Sequence, residues 1–167
     1  ARLGAMAGSA ALADGKPGDA LSLLAPAAAD ARQTEDKELL ASIALDRARA
    51  LVALSQPDEA GNALAEARAA DPANAQAWLL SATLSRRQNK LIEAQTQIEQ
   101  AATLAPQDPE VGLEAGVIAV LAGRNDAARR SWASVVATSP DSPQAATAKG
   151  YLTQLGSDAK APPAKAR

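Results

Sequence analysis

Pro72, Pro106 and Pro140 stand 34 residues apart, twice in succession. Proline occupies only 10 of 167 positions, so a repeated interval of this kind marks an internal repeat. Larger residues keep the same register. Leu64, Ile98 and Trp132 follow it, as do Ala67, Ala101 and Val135, and Ala60, Ala94 and Ala128. Alanine alone would be weak evidence, because 45 residues of this chain are Ala. The prolines and the bulky positions carry the argument. With no Phe and 2% aromatics, the core must be filled by Ala, Leu and Val. Such a core needs elements that approach closely, and helices of Ala, the best helix former, meet that need. Dense β-branched stretches occur only near Val117–Val120 and Val135–Val136, inside helical patterns.

One earlier unit fits with a shift. Gly15 to Leu21 read as the turn and second-helix start of a fourth copy, and Ala20 precedes Ala60 by 40 residues rather than 34. The extra six residues fall in the polar stretch Asp30–Glu38, which predicts a longer loop or an extra helical turn. The units are then 1–40, with the inserted loop, followed by 41–74, 75–108 and 109–142. Each reads as helix, turn, helix. In the third, Ala75–Gln88 and Leu91–Leu104 are the two helices. Gly15, Ser55, Asn89 and Gly123 hold the turn between them, three of these being Gly or Asn, which tolerate a left-handed backbone. Pro26 sits inside the first unit's second helix and predicts a kink or a shortened helix. Residues 143–156 read as a capping helix, with Ala145, Ala148, Leu152 and Leu155 on one face. Residues 157–167, rich in Ala, Pro and Lys, are expected to be a disordered tail.

This register resembles the tetratricopeptide repeat (TPR) family in its bacterial form. Small residues Gly8, Ala48, Ala82 and Gly116 fall at the family's position 8, and Ala20, Ala60, Ala94 and Ala128 at position 20. Leu24, Leu64, Ile98 and Trp132 fall at position 24, and Trp78 takes position 4 of the third unit. Position 4 is Gly4, Ala44 and Gly112 elsewhere, and these departures predict a looser core around the first helix of each pair. The resemblance implies an all-α fold, a right-handed α-solenoid of four antiparallel helix pairs plus the C-terminal capping helix. It also implies a groove lined by positions 2, 5, 9, 12 and 13 of the first helices. Carried over, the partner-binding residues are Leu45, Arg49, Val52, Leu79, Thr83, Arg86, Leu113, Val117 and Val120. The family's carboxylate clamp uses Lys and Asn at groove positions, and those residues are not here. The expected partner offers apolar side chains, with an acidic residue near Arg49 and Arg86.

Chemistry other than recognition finds little support. No His or Cys is present, and the carboxylates are scattered over helix starts and exposed faces, so no catalytic set or metal site is expected. Asp58–Glu59 suit the positive end of a helix. Glu110 and Glu114 lie one turn apart but lack a third ligand. Arg86–Arg87 read as ordinary surface charge. Gly15–Lys16–Pro17–Gly18 lacks the strand and spacing of a phosphate loop. A net charge of −2 argues against nucleic acid. The reading is a protein or peptide scaffold, not an enzyme, with no cofactor and no small-molecule substrate. The alternative is a self-assembly or spacer module of a larger bacterial protein or envelope assembly system, hence a possible homo-oligomer. No apolar run spans a bilayer, so the chain is expected to be soluble, in bacterial periplasm or cytoplasm. It opens on Ala1 without a leader pattern, so any signal is expected to have been removed, or the chain to begin mid-protein.

Overall fold

A computed structural model describes residues 1–158, with side chains to Gly156. The expected tail therefore lies outside the described residues from Ala159 on. Among the described residues there are nine helices and no strand: α1 (Arg2–Ala13), α2 (Pro17–Gln33), α3 (Lys37–Ala53), α4 (Pro57–Ala70), α5 (Ala75–Arg87), α6 (Leu91–Leu104), α7 (Pro109–Leu121), α8 (Asn125–Thr138) and α9 (Pro143–Asp158). None of them is long and apolar enough to cross a membrane.

Two kinds of turn join them, and the sequence dictates which. Within a pair, one residue takes positive φ: Gly15 (+70°), Ser55 (+59°), Asn89 (+59°) and Gly123 (+73°). The next amide then donates back five residues, as Lys16 does to the Ala11 carbonyl (2.9 Å) and Arg124 to that of Ala119 (2.8 Å). That pattern satisfies the carbonyls a helix end leaves open. Between pairs, the 34-residue prolines stand two residues beyond the helix end, and the turn closes on a side-chain cap. Asn74 Oδ1 accepts from the Gln76 amide at 3.1 Å, Asp108 Oδ1 from Glu110 at 2.8 Å, and Ser142 Oγ from Ala145 at 3.0 Å.

At the α2–α3 connection the structure takes the extra helical turn and not the longer loop. The connection has no proline and adopts the within-pair turn, with Glu35 at φ +54° and the Asp36 amide bonded to the Ala31 carbonyl (3.1 Å). Asp36 Oδ1 then caps α3 at the Leu39 amide (3.1 Å). The six inserted residues are not a loop. They lengthen both helices, each to 17 residues against 13 or 14 for α4 to α8. Nothing stops α2 before Thr34, and Lys37–Leu40 are good helix formers. Pro26 does not shorten α2 either. Both Pro26 and Ser22, whose carbonyl loses its partner, are exposed residues, so water can take the freed acceptor.

The chain divides into two compact units, Ala1–Leu84 and Ser85 onward, the division falling within α5. In the first unit α1 packs on α2 and α3, α2 on α3, and α3 on α4. One cluster there holds Leu24 and Ile43 among buried alanines, and a second holds Leu45, Leu51, Leu64 and Leu84. In the second unit α7 packs on α6, α8 and α9, and α8 on α9. Its core joins Trp132, Val135 and Leu155 to Ala145 and Ala148, with Leu152 and Val136 half-buried against it. The cap covers this face as its apolar stripe predicted.

The glycines of α7 do not loosen the core. A Cβ on Gly116 would stand 2.1 Å from Trp132 Nε1, and one on Gly112 2.5 Å from Val135 Cγ2. The fourth repeat thus exchanges volume across its helix pair, with small residues on α7 and large ones on α8. Ala82 and Ala94 are fully buried, as the register requires.

Candidate functional site

The nine residues expected to line the groove divide between the two units and between two environments. In the first unit Leu45 and Leu79 are interior residues, 6% and 5% exposed. They offer a partner nothing, which corrects their expected place on an accessible face. Position 5 turns inward here because Leu45 joins the cluster of Leu51 and Leu64. Val52 is half-buried against that cluster, and Thr83 is half-buried. Arg49 is exposed and already paired, its Nη1 2.9 Å from Asp46 Oδ1. Asp46 also accepts from the Ser9 hydroxyl.

In the second unit Arg86 is half-buried and clamps Glu114, with Nε 2.5 Å from Oε1 and Nη2 3.4 Å from Oε2. Both arginines expected to meet acidic partner residues therefore carry carboxylates of their own. Glu110, the other member of the carboxylate pair, instead accepts from Gln144 Nε2 at 3.4 Å. The two carboxylates do not converge.

Leu113, Val117 and Val120 remain half-buried along α7 and pack on the Trp132 cluster. Val117 and Val120 open into a pocket of about 270 Å³ that Leu121, Trp132, Tyr151, Gln154 and Leu155 complete. Three helices position it. Gly116 lets the Trp132 ring lie against α7, where its indole donates to the Leu113 carbonyl at 3.1 Å. Tyr151 of α9 stacks at a tilt on the same ring, with centroids 5.0 Å apart and planes at 43°. The ring's one polar group is satisfied, so the wall it presents is apolar. Leu121 stands at the rim, 53% exposed.

Tyr151 and Leu155 were not among the expected binding residues, since α9 read only as a cover. The signal was present: Tyr151 lies three residues after Ala148 and four before Leu155, on one helical stripe. Trp132 likewise read as core alone, and it is both core and pocket wall.

A search of curated proteins gives no match. The family model described as Tetratricopeptide repeat matches residues 45–109 and again 81–146. Among solved structures, a tetratricopeptide repeat protein from Parabacteroides merdae is similar at TM-score 0.76 and 13% identity, over 94% of this chain and 60% of that one. The first TPR of Spaghetti (RPAP3), solved bound to the HSP90 peptide SRMEEVD, is similar at TM-score 0.67 and 16% identity, over 72% of this chain and 94% of its own. YrrB, described as a TPR protein with an unusual peptide-binding site, is similar at TM-score 0.61 and 18% identity, over 81% of each chain. With more than half its length matched by the family model, and with the helix pairs, proline turns and small-residue crossings of its last three repeats in register, this chain belongs to the tetratricopeptide repeat family.

Proposed function

We propose that the chain is a protein-interaction scaffold, and that in its second unit the pocket between α7, α8 and α9 receives an apolar anchor side chain of a peptide partner. The pocket carries this reading. Its volume, about 270 Å³, lies below the range of about 300–1,000 Å³ usual for a metabolite or drug-sized ligand. It suits a side chain. Apart from Gln154 its walls are Val, Leu, Tyr and Trp; Tyr and Trp are enriched among the residues that anchor interfaces, and Val and Leu add apolar surface to bury. The peptide complex of Spaghetti and the peptide-binding site ascribed to YrrB support the class of partner. The groove positions do not supply a clamp for a terminal carboxylate, because Arg49 and Arg86 are neutralised internally.

Peptides selected from a random library on the whole chain test this. Selected sequences should share one bulky apolar residue, and Leu121→Glu should weaken them by about tenfold or more, the loss of one buried aliphatic contact. Leu54→Glu, at a comparably exposed leucine outside the pocket, should not. Equal loss in both variants, or no enrichment, would overturn the reading. Self-association is favoured by one observation: Leu3 and Met6 project from α1 largely exposed. Light scattering with Met6→Glu as the control decides that point.

A further inference from the structure

Four arginines among the described residues are half-buried: Arg47, Arg68, Arg86 and Arg129. Three have a carboxylate. Arg47 meets Glu66 at 2.9 Å, Arg86 meets Glu114 at 2.5 Å and Arg129 meets Asp126 at 2.9 Å. Arg68 has none among the described residues. Its guanidinium lies over the Trp78 ring, with Cζ 5.2 Å from the centroid, and Nη1 donates to Ser81 Oγ.

Each partner of Arg68 is itself fixed. Trp78 Nε1 donates to the Pro72 carbonyl at 2.9 Å. The buried Ser81 hydroxyl donates to the Ala77 carbonyl at 2.7 Å. Asp71, just past the end of α4, has Oδ1 accepting from the Ala73 amide at 3.1 Å, closing the turn. The guanidinium plane is therefore held from one face and one corner, and its other N–H groups have no acceptor among the described residues. Burial pushes the Arg68 pKa below its ordinary value, and no counter-charge offsets it. A half-desolvated cation with fixed orientation and open donors is prepared for an anion. Guanidinium matches a carboxylate best, because the planar fork makes two parallel bonds.

We propose that Arg68, stacked on Trp78 and anchored to Ser81, receives a carboxylate presented by a binding partner, most simply an Asp or Glu side chain. Capture of a chain terminus needs a nest of further donors, which Arg68 lacks. The site lies in the first unit and stands independently of the α7–α9 pocket.

Nuclear magnetic resonance on the whole chain tests it. The probes are acetyl-glutamate methylamide, whose one carboxylate is a side chain, and acetyl-alanine, whose one carboxylate is a terminus. Sodium chloride at matched ionic strength is the reference. The Arg68 Nε–H and Trp78 Nε1–H resonances should shift saturably with the glutamate probe. The Trp132 indole, already bonded to the Leu113 carbonyl, should stay silent. Arg68→Lys, which keeps the charge and loses the fork, should weaken binding about tenfold, the loss of one charge-assisted hydrogen bond. Stronger saturation by acetyl-alanine would overturn the side-chain assignment. Shifts that are linear and equal to those with chloride would overturn the site itself and leave Arg68 as a clamp between α4 and α5. The wild-type titration decides this even if Arg68→Lys unfolds.

Discussion

At the scale of single residues, the same substitution should have opposite signs at two glycines. Gly116 lies in the interior of α7, and a Cβ there would overlap the Trp132 ring, which cannot retreat without losing its bond to the Leu113 carbonyl. Overpacking of this kind costs about 1–3 kcal/mol, against a helix-propensity gain of up to about 1 kcal/mol. Gly116→Ala should therefore destabilise by about 1–2 kcal/mol. Gly150 lies inside α9 with nothing within 4 Å of its would-be Cβ. Gly150→Ala should stabilise by about 0.5–1 kcal/mol. Urea denaturation of the two variants checks the sign, and a stable Gly116→Ala would show that Trp132 has room to move. Leu79 makes a second test. A carboxylate at a site only 5% exposed has no ordinary partner, so Leu79→Glu should lose its cooperative helical melt rather than a binding partner. These residues also mark what the sequence revealed and what it hid. The family register marked Gly116 as a small crossing residue and Trp132 as a core residue, but the contact between the two emerges only from the structure. The register could not separate the inward Leu79 from the half-buried Leu113, since both occupy position 5 and differ only in what the neighbouring helices bring.

At the scale of helices, the end of the array depends on α9. Leu155, Ala145 and Ala148 are buried and Tyr151 and Leu152 half-buried against α8 and α7. Removal of residues 143–167 would return Trp132 and Val135 to water. At roughly 1.5–3 kcal/mol for each large apolar side chain that loses full burial, the loss should be about 3 kcal/mol or more. That corresponds to a drop of about 6–12 °C in Tm for a chain of this length. Removal of residues 157–167 alone keeps every one of these contacts and should move Tm little. Calorimetry of the two truncations decides, and equal melting would show that α9 is no cap. The long pair α2 and α3 has its own cross-link. Glu66 of α4 holds Arg47 of α3 at 2.9 Å with Oε2, and Arg32 of α2 with Oε1, through Nε at 2.8 Å. Arg32 lies in the segment that the insertion extends, which is why no 34-residue register pointed to this triad. The groups are partly exposed, so Glu66→Gln should cost at most about 1 kcal/mol, and less in high salt.

At the scale of the whole chain, the fold class and the last three helix pairs were legible because each rests on a local rule repeated at one period: proline beyond a helix end, a left-handed turn residue, a small residue at a crossing. The first pair was legible from its turn and small residues at a shifted interval, and the cap from its single apolar stripe. The α2–α3 turn was not legible, because its polar residues suit a loop and a helix end equally well. The α7–α9 pocket was not legible either, because it depends on three helices meeting, and period alone describes one repeat at a time. The same locality governs how damage should spread. In a repeat protein each unit contacts only its neighbours, so stability is approximately a sum of repeat and interface contributions. A lesion in the fourth repeat should then lower protection where it acts and leave distant helices near their original values. Gly116→Ala supplies the lesion, since its nearest clashes are with Trp132 of the paired helix. Hydrogen exchange followed by mass spectrometry should show faster exchange across α7, α8 and α9, by the factor that a loss of about 1–2 kcal/mol implies, roughly 5- to 30-fold. Amides of α1, α2 and α3 should exchange as in the wild type. Uniform acceleration over all the described helices would mean that the chain opens as one cooperative body, and that the repeat-by-repeat account of its stability is wrong.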